Sequence, residues 1–216
     1  MRTTNPLFAR AERGTLDAHH LVRYLANVRV LVLHTPLHLE RAIDRATSLA
    51  KTELACHFKK KVGEEQGHDK WAERDVATVR AMIAQAVEGG RATTLDRIIS
   101  FIEATIDEDP ELYLSYILFA EHLIVLMGPT WLDHLETRCG IPRSAMTVIG
   151  NHAELDREHS EEGLEAIDAL VRDPRKLPPM RRVLSDTVAL FERFSAEVVA
   201  LGDEARYAAS VRTSAA

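Results

Sequence analysis

Apolar residues recur along most of this chain three and four positions apart, which is the spacing of amphipathic helices. No stretch shows the alternation of apolar and polar residues that a half-buried strand requires. The pattern therefore predicts an all-α protein. The predicted helices cover residues 18–34, 37–58, 64–87, 95–106, 111–127, 130–137, 142–171 and 180–201.

Proline and glycine mark the expected helix ends. Pro36 is expected to break the first long helix or to kink it, because proline lacks a backbone N–H. Gly63 is a further candidate for a bend, and Gly128-Pro129 is expected to end the most apolar helix. The chain has no repeat, low-complexity block or linker. Residues 1–216 are therefore predicted to form a single bundle of seven or eight helices, with residues 203–216 as a flexible tail.

Composition and charge exclude several classes of function. A net charge of −6 and a pI near 5.9 argue against a nucleic-acid partner, which would normally face a basic surface. The most apolar run, 112–127, contains Glu121 and His122 and is shorter than the roughly 20 residues of a membrane span. The N-terminus lacks the apolar stretch of a signal peptide. We therefore expect a cytoplasmic protein with no membrane partner, in which Cys56 and Cys139 are buried in a reducing environment.

The first candidate for chemistry is a histidine-rich segment of the helix predicted over 142–171. In a helix each residue advances by about 100°, so His152, Asp156 and His159 project from one face over two turns. Two imidazoles and a carboxylate suit iron, manganese or zinc. The alternative is a solvated charged face, since several glutamates surround these residues.

A second candidate lies near the middle of the chain. Glu65 precedes His68 by three residues, the same-face spacing that helical-bundle metal proteins use. Glu64 is four residues before His68 and competes for the same role. The alternative is an exposed acidic helix start, which the helix dipole favours.

Glu121 is the third candidate, because it lies in a helix that is apolar on nearly every side. A carboxylate in that position has to be paired, protonated or bound to metal, since burial of an isolated charge is very unfavourable. Its alternative role is an ion pair with an arginine such as Arg181 or Arg182. His122 points about 100° away from Glu121 and is interpreted as a packing residue or a support for a ligand.

These three groups together resemble the ligand pattern of the haem-oxygenase-like diiron oxidases and oxygenases. The resemblance covers residues 14–194 and implies a seven-helix fold shared with thiaminase II and pyrroloquinoline-quinone synthase. The run Gly67-His68-Asp69-Lys70-Trp71 and Asp75 also resemble the quinone synthase, so they do not distinguish metal-dependent from metal-free members. The implied metal ligands are Glu65, His68, Glu121, His152, Asp156 and His159.

The sequence departs from the family pattern at one position. In some members the first glutamate lies seven residues before its histidine, and here that position holds Lys61. If that position were required, the first metal would lose a carboxylate. The site could then hold one metal, hold a mixed pair or be inactive. Glu65, or else Glu64, would replace the missing ligand.

The resemblance implies a non-haem diiron enzyme that uses dioxygen to oxidise a small organic substrate. Carbon–carbon cleavage, desaturation and N-oxygenation are the reaction types of the family. Two iron ions are expected, with manganese as an alternative, and an external electron donor is a further partner that such chemistry can require. Related folds are often dimers, so a homodimer is part of this expectation.

Two alternatives come from other classes. A metal-free enzyme of the same fold would be quinone-synthase-like, or it would be a thiaminase-like hydrolase with Cys56 or Cys139 as nucleophile. A helical interaction protein without catalysis is the second alternative, and Lys61 is its only indication. Metal analysis distinguishes both from the oxidase.

Overall fold

The computed structural model describes residues 4–84 and 90–214. No strand occurs among these residues, which confirms the all-α class. The predicted helix end near residue 87 lies outside the described ranges. Two short 3-10 helices, Arg143–Ala145 and Pro174–Lys176, lie before and after α7. The α-helices are α1 (Pro6–Glu12), α2 (Ala18–Ser48), α3 (Thr52–Glu65), α4 (Asp69–Arg80), α5 (Thr93–Glu108), α6 (Pro110–Cys139), α7 (Thr147–Leu170) and α8 (Leu177–Ser214).

Two helices continue through prolines at which the sequence predicts a break or an end. Pro36 lies inside α2 and Pro129 lies inside α6. A proline in a helix interior destabilises it by about 3 kcal/mol. However, α2 packs against α3, α4, α5 and α8, and α6 packs against α7 and α8. Burial of these faces outweighs the local loss, so the predicted separation of 111–127 from 130–137 is wrong.

The helix predicted over 64–87 is divided near its start. Helix α3 ends at Glu65, and α4 begins at Asp69. Gly67 in the intervening turn has a φ of 85°, a left-handed conformation that glycine adopts far more easily than other residues. Gly63, the predicted bend, lies within α3 instead. Glu65 and His68, two of the predicted site residues, flank this turn.

The segment predicted as a flexible tail, residues 203–216, is helical as far as Ser214. Asp203 in this segment accepts hydrogen bonds of 2.7 and 2.6 Å from Arg10, and it lies 3.2 Å from His20 Nε2. Gly202 lies so close to His20 that an added Cβ would be 2.4 Å from that ring. These contacts hold α8 against α1 and α2.

Helix α6 is the one described helix whose length and composition would also suit a membrane span. Its most apolar window has a mean hydropathy of 1.5, and 44% of that window is buried inside the protein. Core helices of globular proteins share these properties, so this feature alone is weak evidence for a membrane segment. Here α6 packs against α7, α8, α5 and α1, and it forms one wall of the cavity described below.

Candidate metal centre

Three helices and the α3–α4 turn bring the predicted site residues together. Glu65 is the last residue of α3, and His68 directly precedes α4. Glu121 lies in the middle of α6. His152, Asp156 and His159 lie on α7. The structure divides these six residues into two groups.

The first group is compact and consists of Glu65, His68 and His152. One ligand atom from each of the three lies within 4.8 Å of the others. His68 Nδ1 is 3.1 Å from Glu65 Oε2, which is hydrogen-bond distance. His152 Nδ1 donates to the carbonyl oxygen of Val148 at 2.6 Å, so its Nε2 is the nitrogen that could bind a metal. This carbonyl contact fixes the tautomer and the ring orientation, as is usual for metal-binding histidines.

Trp71 supports both histidines of this group. Its indole stacks on the His68 ring with a centroid separation of 4.2 Å and an interplanar angle of 20°. It also meets the His152 ring edge to face at 5.5 Å. The two imidazoles are themselves perpendicular, with centroids 4.8 Å apart. Aromatic packing therefore limits the rotation of both rings.

Asp75 on α4 connects the first group to the start of α7. Its carboxylate is completely buried and accepts hydrogen bonds of 2.7 Å each from the Val148 N–H and the Thr147 hydroxyl. It thereby satisfies a backbone donor in the first turn of α7, for which Met146 provides no side-chain cap. Since the carbonyl oxygen of Val148 in turn accepts a hydrogen bond from His152, Asp75 positions the His152 ring through Val148. The sequence indicated Asp75 as part of a motif, but nothing in the sequence showed this role.

Lys61 organises the second group. Its ammonium nitrogen is 2.8 Å from Glu121 Oε1 and 3.1 Å from Glu64 Oε2, and the side chain is only 3% exposed. Glu121 is thus paired as its burial requires, but with Lys61 and not with the arginines that the sequence suggested. Its other oxygen, Oε2, is buried and has no hydrogen-bond partner among the described residues.

Asp156 and His159 complete the second group. His159 Nδ1 is 3.4 Å from Asp156 Oδ1, and His159 Nε2 is 3.9 Å from Glu64 Oε2. Asp156 is buried, whereas His159 is partly exposed. The two neighbouring glutamates of α3 therefore face different partners. Glu65 belongs to the group of His68 and His152, and Glu64 to the group of Lys61 and His159.

The crowding of carboxylates changes their acidity. Burial, with the negative charges of Glu121 and Glu65, raises the pKa of Asp156 to about 8. Burial raises the pKa of Glu121 to about 7, although Lys61 opposes this shift. Burial would also raise the pKa of Glu65, but the hydrogen bond and charge of His68 outweigh it and leave that pKa lowered. Burial alone would lower the pKa of Lys61, but the charges of Glu121 and Glu64 raise it.

The charged groups line part of a cavity of about 210 Å³. Tyr113 and Tyr116 also line it, with their rings stacked at 5.8 Å. Trp131, another lining residue, lies ten positions after Glu121 on α6, which is about 15 Å along the helix axis. The cavity is therefore elongated. Its other walls are mostly apolar and include Val28, Leu31, Leu39, Ile117, Ile124 and Ile149.

Neither cysteine lies at this cavity. Cys56 is exposed, and Cys139 is partly buried with its thiol 3.7 Å from the carbonyl oxygen of Ala11. Burial raises the pKa of the Cys139 thiol, which disfavours the reactive thiolate. The expectation that both cysteines are buried is therefore wrong for Cys56. The positions of both argue against a thiaminase-like nucleophile.

Two solved structures share the fold of this chain. One is a domain of unknown function with a haem oxygenase-like fold from Shewanella denitrificans OS217, with a TM-score of 0.78 and 16% identity over 91% of this chain and 84% of that one. The other is a CADD-like protein of unknown function from Nostoc punctiforme PCC 73102, with a TM-score of 0.67 and 13% identity over 95% of this chain and 90% of that one. No family model and no curated protein matches the chain. The chain therefore has the haem oxygenase-like fold. At sequence identities of 16% and 13%, the similarity shows a shared fold and not a shared function.

Proposed function

We propose that this protein is an iron-dependent oxidoreductase that uses dioxygen to oxidise a small, largely apolar organic substrate. The observation that carries the proposal is the convergence of Glu65, His68 and His152 beside an apolar cavity. Two histidines and one carboxylate with open positions are the donor set of non-haem ferrous oxygenases.

The geometry of the donors fits a metal ion of this kind. Ligand atoms that share one ion at bonds of about 2.0–2.2 Å lie roughly 3 to 4 Å apart. The three donor atoms here lie within 4.8 Å of one another, so shifts of less than about 1 Å would close the site. His152 already presents Nε2, because Val148 holds Nδ1. Manganese accepts the same donors and is the alternative metal.

The protein contributes position, proton supply and exclusion of water. Ferrous iron in such a site supplies electrons for the reduction of dioxygen. Asp156 lines the cavity, and in the metal-free protein burial with the charges of Glu121 and Glu65 raises its pKa to about 8, so its carboxyl oxygen is the candidate proton donor. The apolar walls favour an elongated substrate without charges along its middle. Carbon–carbon cleavage, desaturation and N-oxygenation all suit this arrangement.

Further parts of the proposal rest on the family resemblance. They are an external electron donor, a homodimer and a cytoplasmic location. A second iron ion, held by Glu121, Asp156 and His159, is also an expectation from the resemblance. Lys61 already contacts Glu121 at this position.

Anaerobic ferrous loading tests the proposal. The purified protein is loaded with Fe(II), passed through a desalting column and analysed for iron per chain. We expect His68→Ala and His152→Ala to weaken ferrous binding at least 100-fold while the helical circular dichroism stays unchanged. His134→Ala is the matched control, because His134 lies on α6 against Phe8 and is not among the residues that line the cavity.

Oxygen uptake by the loaded protein tests the activity itself. Long-chain acids, amino acids and amines are offered in turn, with a reductant, and we expect one class to accelerate oxygen consumption. A protein without affinity for ferrous ion would contradict the proposal. It would favour a metal-free, quinone-synthase-like enzyme or a non-catalytic role.

A further inference from the structure

We propose that the site binds one divalent metal ion per chain and that the ammonium group of Lys61 takes the place of a second. This inference rests on the proposed function, since it specifies the metal content of the same site. It predicts one metal ion per chain where the diiron expectation is two, and the number of bound ions can be measured directly.

The position of Lys61 is the first argument. Its ammonium nitrogen contacts Glu121 Oε1 at 2.8 Å and Glu64 Oε2 at 3.1 Å, and the side chain lines the cavity. A metal ion bound to Glu121 Oε1 would lie about 2 Å from that oxygen. The metal and the ammonium would then be close neighbours of like charge in a buried site, which is unfavourable. Glu121 therefore serves one cation through this oxygen, and that cation is Lys61.

The difference between the two groups of donors is the second argument. Glu65, His68 and His152 bring three ligand atoms within 4.8 Å of one another. Among the described residues, the second group has no three ligand atoms that lie as close together as these. Its shortest contacts between charged groups run from Lys61 to Glu121 and Glu64, whereas His159 Nε2 is 3.9 Å from Glu64 Oε2. One half of the site is arranged for a metal, and the other half is arranged around an ammonium group.

The balance of charge is the third argument. Four carboxylates meet at the site: Glu64, Glu65, Glu121 and Asp156. One divalent ion and Lys61 supply three positive charges, and the ammonium nitrogen of Lys60, 3.4 Å from Glu64 Oε1, faces the fourth negative charge. Two divalent ions with Lys61 would supply five positive charges against at most four negative ones. A buried excess of positive charge has no counterion among these side chains.

Metal stoichiometry tests the inference without any need for activity. Anaerobic loading with Mn(II), desalting and elemental analysis give the ions per chain, and the electron paramagnetic resonance spectrum separates isolated from coupled Mn(II) ions. We expect one ion per wild-type chain with an uncoupled spectrum. We expect Lys61→Glu, which exchanges the ammonium for a carboxylate, to bind two ions and to show a coupled spectrum. Lys59→Glu is the matched control on the exposed side of α3 and should bind one ion.

The outcomes separate this inference from the proposed function. Two ions in the wild-type chain would overturn the inference and leave the proposed function standing. No ion in the wild-type chain would overturn the proposed function itself. A folded Lys61→Glu that still binds a single ion would show that Lys61 is not what excludes the second. If Lys61→Glu does not fold, Lys61→Met is the deciding variant. Binding of a second Mn(II) ion at least tenfold more tightly than any second ion binds to the wild type supports the inference. Unchanged binding of a second ion overturns it.

Discussion

Asp75 provides a test of how the fold prepares the metal site, because it touches α7 without belonging to the cavity wall. Its buried carboxylate accepts one hydrogen bond from the Val148 N–H and one from the Thr147 hydroxyl, both at 2.7 Å. Asp75→Ala removes both bonds and leaves a buried N–H without its partner. Asp75→Asn keeps one acceptor oxygen of nearly the same shape but loses the charge.

The magnitude follows from the contacts. Hydrogen bonds to a charged group contribute about 1.5–3 kcal/mol each, so we expect Asp75→Ala to lower the free energy of unfolding by about 3–5 kcal/mol. For Asp75→Asn we expect a loss of about 1–2 kcal/mol. In a chain of this length each kcal/mol corresponds to roughly 2–4 °C in melting temperature. The alanine variant should therefore melt about 6–20 °C below the wild type.

Urea unfolding and calorimetry measure these losses, with Asp44→Ala on the exposed side of α2 as the control, which should change stability by less than about 0.5 kcal/mol. The milder Asp75→Asn also tests whether Asp75 positions the His152 ring. Because Val148 holds His152 through its carbonyl, we expect Fe(II) affinity to fall by about tenfold. A loss below 1 kcal/mol in the alanine variant, or wild-type metal affinity in the asparagine variant, would refute the reasoning.

Two further predictions concern close packing and pH. Gly202→Ala places a Cβ 2.4 Å from His20 Cδ2 and 2.9 Å from His20 Cα, so we expect the free energy of unfolding in urea to fall by about 2–3 kcal/mol. Gly150→Ala, whose Cβ would meet nothing within 4 Å, should instead stabilise α7 by up to about 1 kcal/mol. Equal effects of the two substitutions would contradict the packing argument. The folded-state pKa of Asp156, about 8, lies above its unfolded value of 3.8, so its proton stabilises the metal-free protein fully below about pH 4, and this stabilisation is lost as the pH rises through 8. Asp156→Asn should flatten the fall in melting temperature between pH 5 and 8, and a parallel pH profile in both proteins would argue against the raised pKa.

Helical periodicity was sufficient for the class of fold but not for the helix bounds. The apolar spacing on both sides of Pro36 is in phase with one long helix, yet the local effect of proline argues for two. Which effect wins depends on how much of α2 is buried against its neighbouring helices, and that is a property of the assembled bundle. The same reason applies to Pro129 in α6.

The site could be predicted as far as its residues lie near one another in the sequence. The four-residue spacing of His152 and Asp156 places both on one face of α7. Glu65 and His68 also lie close together, but the turn between α3 and α4 brings them there, and not one continuous helix. Because Glu121 lies in an apolar helix, its charge was predicted to need a partner, and Lys61 is that partner. The identity of that partner could not be derived, because Lys61 lies sixty residues away and meets Glu121 only when α3 packs near α6 and α7.

The end of α3 explains how two adjacent glutamates come to face different partners, Glu64 the ammonium group of Lys61 and Glu65 the imidazole of His68. Neighbouring residues on a helix point about 100° apart, so Glu64 and Glu65 cannot face one focus. Lys61 is three residues before Glu64 and contacts it. Had the helix continued past Glu65, His68 would lie seven residues beyond Lys61, on the same face and two turns away. The turn at Gly67 instead lets His68 fold back to within 3.1 Å of Glu65. The helix thus ends between the Lys61 ammonium group and the residues proposed to bind metal, which is the arrangement that the single-metal proposal requires.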